Sequence, residues 1–482
     1  MNPLPLSRIA QWTGGQLRGA DVLIDAIATD TRKLDAGDGR SELFVALKGE
    51  RFDGHDHVGR AADLGARAAL VSLAVDAPLP QVLVADTERA LASLAAAMQH
   101  ARKGKVVAIT GSNGKTSVKT LLLSILQRAG KAYANPGNRN NEIGLPLAVI
   151  DAPDDADFAI YEMGAGKPGD IAYLTGVARP DVALVNNVAP AHLERMGSLL
   201  GVADTKAAIY DALPADGVAV INADDAFAPY FGERAHGRRL IRFALDAAAD
   251  VSARDLHFAD DSMHFRLVTA QGEAAAMVPL PGRHNVANAL AAAALALACG
   301  VSLDDIVAGL RDARPVAGRL VRHRLANGAV LIDDSYNANP GSLNAAIDTL
   351  ASMDGESWLV LGDMRELGAD ARALHEAAGR RARDAGIARL YALGRLSAAA
   401  ATEFGEGARV FDSHDALIET LRRDLVAVVG AASAASPSAQ EKKLAAEAAP
   451  TNLRILVKGS RGSAMDRVVK ALLTNGEAAH AA

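Results

Sequence analysis

The sequence predicts an α/β protein in three units: a small N-terminal α/β domain, a central P-loop domain of mostly parallel sheet flanked by helices, and a C-terminal Rossmann-like α/β domain. Three observations carry this expectation. The 482 residues correspond to about three domains at roughly 150 residues each. From Lys105 onward, apolar strand-like runs alternate with helical stretches, the pattern of a parallel sheet covered on both faces. Between one such run and the next amphipathic stretch stands a glycine-rich turn, Gly111 to Gly114, at the position where such sheets bind ligands.

In residues 1–86, the runs Leu43–Leu47, Ala68–Val71 and Gln81–Val84 read as short strands, and 58–65 has helical spacing. A unit ending near Asp86 follows. The span 87–314 opens its regular alternation with the strand Val106–Ile109 and a helix from Lys115 that stops at Gly130. Strands at Phe158–Tyr161, Val182–Val185 and Val218–Ile221 come next, with a helix over Thr205–Leu213 before the last of them. Residues 256–278 have the character of a hairpin and are expected at the edge of this domain; helices over Asn285–Ala298 and Leu303–Arg311 close it, and Pro315 marks the boundary. In 315–482, strands at Ala329–Ile332, Trp358–Leu361, Arg389–Leu393 and Arg454–Val457 alternate with helices at Ser342–Ser352 and Ala369–Ala385. The Ala-, Ser- and Glu-rich stretch 427–450 reads as a disordered or loosely helical surface insertion.

Composition narrows the function. Half the residues are apolar, 22% are charged, and 51 Lys and Arg stand against 57 Asp and Glu for a net charge of −6. No basic excess is present to neutralise nucleic-acid phosphates. Cys299 is the sole cysteine, which excludes disulfide frameworks and multi-cysteine metal sites. The first fifteen residues carry no basic leader with an apolar segment, and no apolar run approaches the roughly 20 residues a bilayer requires. A cytoplasmic chain without integral membrane contact is expected.

The residues Gly111, Ser112, Asn113, Gly114, Lys115, Thr116 and Ser117 suit a nucleotide. Glycines let backbone N–H groups approach phosphate oxygens, the helix start supplies positive potential, Lys115 can reach the terminal phosphates and Thr116 can hold Mg²⁺. Ile109 stands where the general pattern has its first glycine, so the loop is a variant. Two polar residues follow strands of the same sheet, Glu162 after Phe158–Tyr161 and His192 after Val182–Val185. A carboxylate there is a natural Mg²⁺ ligand. Taken singly, such a Glu is as often a solvated loop charge, and such a His more often structural. His55 and His57 have metal-like spacing, but no third ligand cluster accompanies them and a solvated loop is the better reading.

Six segments, Thr110–Ser117, Asn138–Gly144, Tyr161–Gly164, Asn187–Glu194, Gly282–Asn288 and Asp333–Pro340, occur in an order that resembles the Mur ligases of peptidoglycan synthesis. The resemblance runs from about residue 30 to 462 and implies the three-domain Mur ligase architecture. Gly362–Gly368 and Val457–Arg461 resemble the branch that adds D-alanyl-D-alanine to UDP-N-acetylmuramoyl-tripeptide; the Asp-Asn-Pro-Arg tetrapeptide typical of the branch adding diaminopimelate or lysine is absent.

The resemblance implies ATP as cosubstrate, two Mg²⁺ ions, and a catalytic group made of Lys115, Lys206, His192 and Glu162. Thr116 and Glu162 would ligate one ion and His192 would help hold the second. Lys206 would be carbamylated, which exchanges a cation for an anion with two oxygens that can ligate Mg²⁺. The glutamate common two residues later is here Ala208. Asn288 would contact adenine, while Arg319 and Asp334 would meet phosphate and ribose. Thr31, Arg32 and Lys48 would grip the UDP half of the substrate, and Asn140, Asn141, Asn337 and Lys458 would face the substrates. The implied reaction is amide formation through an acyl phosphate, by a monomer. On the residues alone, a sibling ligase adding one amino acid, a folylpolyglutamate synthase, a nucleotide-gated switch and a simple phosphotransferase stay open.

Overall fold

The computed structural model describes residues 1–35, 39–190, 193–434 and 452–477. Its centre is a nine-stranded sheet in the order Ala132–Ala134, Phe158–Glu162, Lys105–Thr110, Val182–Val185, Val218–Asn222, Arg239–Ala244, Val251–Ala259, Ser262–Thr269 and Gly272–Val278. The first seven run parallel and the last two close antiparallel. Continuous apolar runs form these strands because helices cover both faces. Ala108, Tyr161, Val185 and Ile221 enter one core, while Val107, Ile109, Leu184 and Val220 enter the other, beneath the helices Lys115–Ala129 and Arg283–Ala298.

The N-terminal unit holds a five-stranded sheet, Gln16–Arg18, Gln81–Leu83, Ala68–Val71, Glu42–Val45 and Ala26–Ala28, in which only the first strand is antiparallel. After it, Asp86 caps the helix Thr87–Ala101 by accepting from the N–H groups of Glu88 and Arg89. That helix packs on Leu6–Thr13 of the N-terminal unit and on Gly144–Asp151 and Asp170–Ala178 of the central one, so it couples the two. The C-terminal sheet runs Val321–Arg324, Val330–Asp334, Leu453–Lys458, Glu356–Gly362, Arg389–Leu393 and Ala408–Phe411, with five strands parallel and the first antiparallel.

Several elements differ from the sequence expectation for identifiable reasons. The strand Arg239–Ala244 was not anticipated, because charged residues at 239 and 242 interrupt its apolar run. The segment expected as an edge hairpin is a three-stranded extension, starting at Val251. The helix over Thr205–Leu213 begins six residues earlier, at Leu199, since the Ser198 hydroxyl accepts from Gly201 N–H and caps it. Residues 427–434 of the expected insertion continue the helix His414–Ala434, whereas 435–450 lie outside the described residues.

The nucleotide-loop helix is clamped from behind. Gly309 of the helix Leu303–Asp312 faces the backbone of Ile125 so closely that a Cβ would collide with it, and Ser124 Oγ donates to Gly309 O at 2.7 Å. Gly309→Ala is expected to lower unfolding free energy by about 1–3 kcal/mol through overpacking, read by urea denaturation. An unchanged midpoint would show that the two helices are free to separate.

Candidate active site

The strand Lys105–Thr110 lies between Phe158–Glu162 and Val182–Val185, and its carboxyl end opens into the loop 111–114. Gly114 adopts φ 78° and a side chain there would strike Asn288 and Asn186, so only glycine combines this conformation with this closeness. Asparagines hold the loop open in a fixed shape. Asn113 N–H donates to Asn187 Oδ1 at 2.8 Å, Asn186 Nδ2 donates to Asn113 O at 3.0 Å and to Asn288 Oδ1 at 3.2 Å, and Ser112 Oγ donates to Ala189 O at 3.0 Å.

Glu162 is buried at 3% exposure at the end of its strand. Thr116 Oγ1 donates to its Oε2 at 2.9 Å, Lys119 Nζ lies 3.1 Å from the same oxygen, and Asn140 Nδ2 donates to Oε1 at 3.1 Å. Burial works to raise the carboxyl pKa, but Lys119 and Lys115 outweigh it, and the net shift is downward. Lys119 was not singled out from sequence, although its i+4 spacing from Lys115 puts both on one helix face. Lys115 Nζ donates to Gly111 O at 2.7 Å, and burial lowers its pKa against the pull of Glu162.

Lys206 is buried on the helix Leu199–Asp211 and its amine makes no hydrogen bond or ion pair among the described residues. Burial, with the Lys115 charge nearby, pushes its pKa down to about 7. A substantial fraction is therefore unprotonated and nucleophilic at neutral pH.

One cleft of about 380 Å³ gathers residues 111–116, Asn140, Asn141, Glu162, Lys206, Arg319 and Asn337. A second, of about 230 Å³, lies behind it between the central and C-terminal units and is lined by Ser117, Asn288, Arg319, Asp334 and Lys458. Arg319 borders both, stacks on the Tyr336 ring at 4.3 Å, and leaves its buried Nε without an acceptor among the described residues. Asp334 and Lys458 form a buried ion pair; burial raises the former's pKa and lowers the latter's, each opposed by its partner. Asn339 Nδ2 donates to Asn113 Oδ1 at 2.7 Å, tying the C-terminal unit to the loop.

Not every expected residue joins this cleft. Thr31, Arg32 and Lys48 do not line it; Arg32 pairs with Asp30 at 2.7 Å and Lys48 lies 3.5 Å from Asp53. His192 lies outside the described residues. Asn140 is held by Glu162 and Asn141 Oδ1 accepts from Gly144 N–H at 2.8 Å, so both have structural partners within the wall. Both ring nitrogens of His55 have partners, with Nδ1 2.6 Å from Asp53 Oδ1 and Nε2 accepting from Ser72 N–H at 2.8 Å. Its role is to tie the loop to the sheet. No group of three or more His, Cys, Asp or Glu suited to a metal occurs among the described residues.

Comparison with known proteins matches the Mur ligase middle domain over residues 109–296, the Mur ligase, glutamate ligase domain over 318–432, and the Mur ligase family, catalytic domain over 23–99. Over 477 residues, 99% of this chain and 100% of the relative, it is 44% identical to the UDP-N-acetylmuramoyl-tripeptide–D-alanyl-D-alanine ligase of Escherichia coli (strain K12). The crystal structure of MurF from Acinetobacter baumannii superposes with TM-score 0.88 at 33% identity, covering 98% of this chain and 99% of that one. MurF ligase from Thermotoga maritima, solved in complex with ADP, gives 0.80 at 25% identity, covering 94% and 98%.

The Lys206 amine carries a pH signature. Its pKa falls from 10.5 unfolded to about 7 folded, so between those values the unfolded chain binds more protons and stability drops as the pH is lowered. Below the folded value the penalty is level. In CO₂-free buffer without nucleotide, Lys206→Met should raise the thermal midpoint at pH 7, and the gain should shrink steadily toward pH 9.5. A gain independent of pH would mean that the amine is not desolvated.

Proposed function

The chain belongs to the Mur ligase family, and we propose that it joins D-alanyl-D-alanine to UDP-N-acetylmuramoyl-tripeptide at the expense of ATP. The observation that carries this reading is the single cleft in which the phosphate-type loop, the buried Glu162 and the unpaired Lys206 meet residues of the C-terminal unit. A switch protein would have no use for the last two. The 44% identity to a ligase of that name, over nearly the whole of both chains, favours this reaction over a single amino acid or a folate as acceptor.

The tripeptide carboxylate is a poor electrophile, because its charge and resonance repel an incoming amine. In the proposed reaction a carboxylate oxygen attacks the γ-phosphorus of ATP and ADP leaves, giving an acyl phosphate. The dipeptide amine then attacks the acyl carbon, the C–O bond to phosphate breaks, and the nitrogen loses its extra proton. Lys115 and the N–H groups of 111–116 hold the phosphates and spread charge that develops during transfer. Ser117, Asn288, Asp334 and Lys458 border the second cavity, which suits the adenosine half; Arg319, facing both cavities with an unused N–H, suits the phosphates.

Thr116 and Glu162 present hard oxygens at the cleft, the donor chemistry that Mg²⁺ prefers. Bound there, the ion would neutralise phosphate charge. A second ion would need an anion where Lys206 now offers an amine. Addition of that unprotonated nitrogen to CO₂, with loss of a proton, gives a carbamate with two oxygens, and the depressed pKa favours it. His192 is assigned to the second ion by resemblance. Thr31, Arg32 and Lys48 are assigned in the same way to the UDP end, where a guanidinium and an ammonium suit a diphosphate. No described helix is long and apolar enough to cross a membrane, and we assign the reaction to the cytoplasm.

Phosphate release in the presence of ATP, Mg²⁺ and the UDP-linked tripeptide should require D-alanyl-D-alanine, and single amino acids or folates should not substitute. Release without an amine acceptor would overturn the ligase reading. Lys115→Ala should lower kcat by about a hundredfold or more, as loss of a preorganised charge does. Bicarbonate should stimulate the wild type and have no effect on Lys206→Ala. Arg319→Ala should reduce kcat more than it weakens ATP binding; equal losses would assign Arg319 to ground-state binding only.

A further inference from the structure

The dipeptide acceptor brings a charge that the groups assigned so far do not meet. Its amine must reach the acyl phosphate, but its other end is a carboxylate that enters a cleft already crowded with phosphate. Five cationic side chains line that cleft: Lys115, Lys167, Arg195, Lys206 and Arg319. Three have other commitments. Lys115 is bonded to Gly111 O and faces Glu162, Arg319 stacks on Tyr336, and Lys206 is the buried amine discussed above. Lys167 makes no side-chain hydrogen bond or ion pair among the described residues, but it offers a single ammonium rather than a fork, and its charge acts on Glu88 of the helix Thr87–Ala101, which packs on Leu6–Thr13 of the N-terminal unit.

Arg195 is left. Its side chain has no hydrogen bond or ion pair among the described residues. Its backbone, by contrast, is well anchored. The short helix Leu193–Met196 packs on Leu199–Asp211, the helix that carries Lys206, through the buried Met196, whose sulfur accepts from Thr205 Oγ1 at 3.5 Å. On its other side it meets the 3-10 turn Gly368–Asp370 of the C-terminal unit, with Gly368 against Glu194. Arg195 thus stands between the reaction centre and the C-terminal unit, and a guanidinium there can bind a carboxylate through two parallel N–H donors.

Resting on the ligase reading above, we propose that Arg195 anchors the terminal carboxylate of the incoming dipeptide and thereby measures its length. Two residues in extended form span roughly 7 Å, and a single amino acid would place its carboxylate about half as far from its amine. An anchor on the short helix held against the Lys206 helix accepts the first and misses the second. Acceptor length is then set by a charge contact at the far end.

The test compares D-alanyl-D-alanine with its C-terminal amide, D-alanyl-D-alaninamide, in the wild type, Arg195→Gln and Arg195→Lys. Loss of a charged hydrogen-bond pair should raise the wild-type KM for the amide by about ten- to a hundredfold over the free dipeptide. Arg195→Gln should raise the KM for the free dipeptide by a similar factor and leave that for the amide within about twofold. Arg195→Lys, which keeps the charge without the fork, should fall between, and the KM for ATP should not move. Arg195 is exposed, so all variants should share the wild-type thermal midpoint. Equal changes for acid and amide, or none for either, overturn the assignment. A wild type that releases no phosphate with either dipeptide overturns the ligase reading and this assignment with it.

Discussion

The site depends on one buried carboxylate kept ionised. Glu162 sits at the end of a central strand with almost no solvent, where an isolated charge would be prohibitively costly. Lys119, Lys115, Thr116 and Asn140 make it tolerable. Lys115, Thr116 and Lys119 all come from the first turns of one helix, so the pairing also fixes the rotation of that helix about its axis. The same rotation points the loop's N–H groups into the cleft. Lys119 donates as well to Asn135 O at 2.9 Å, and Asn135 Oδ1 accepts from Glu162 N–H at 2.9 Å. Carboxylate, helix and neighbouring strand form one unit whose members cannot shift singly.

Around that unit, asparagine takes the place that charge could not fill. Beyond the ion-paired Glu162 and Lys119, further carboxylates around a loop meant for a polyanion would repel the ligand, and further lysines would repel Lys115 and Lys206. Asn186, Asn187 and Asn288 offer a donor and an acceptor on a neutral group and brace the loop from the neighbouring strand end and from the helix Arg283–Ala298. The price of this arrangement is tight spacing, visible at Gly114, where no side chain fits.

The central sheet and the loop were legible in the sequence because doubly covered strands leave uninterrupted apolar runs, and because a phosphate loop needs glycine, lysine and threonine at fixed spacing. Gly111 to Ser117 and Glu162 could be read in that way. The asparagine braces could not, since an asparagine between strands reads as a turn residue whatever it bonds. In the N-terminal unit, Gln16–Arg18 and Ala26–Ala28 are not legible as strands because three residues show no period, whereas the apolar runs at 43–47, 68–71 and 81–84 are. The helix 199–211 was placed late because the cap at Ser198, with no acidic or amide residue three positions on, gives little local signal. Contacts such as Asn339 to Asn113 join residues 226 apart in the chain, and no local pattern encodes them.

That contact also gives the three-unit architecture a physical purpose. The C-terminal unit reaches the loop through a neutral amide and through Arg319, whose buried Nε has no acceptor among the described residues. An unsatisfied buried donor is costly unless a ligand completes it. A nucleotide whose phosphates accept from both Lys115 and Arg319 would bind the junction more tightly than it binds either unit alone. Nucleotide binding and the placement of the C-terminal unit are then thermodynamically linked, since each must favour the other by the same factor. The acyl phosphate of the proposed reaction is water-sensitive, and this linkage would confine its formation to molecules whose C-terminal unit is in place.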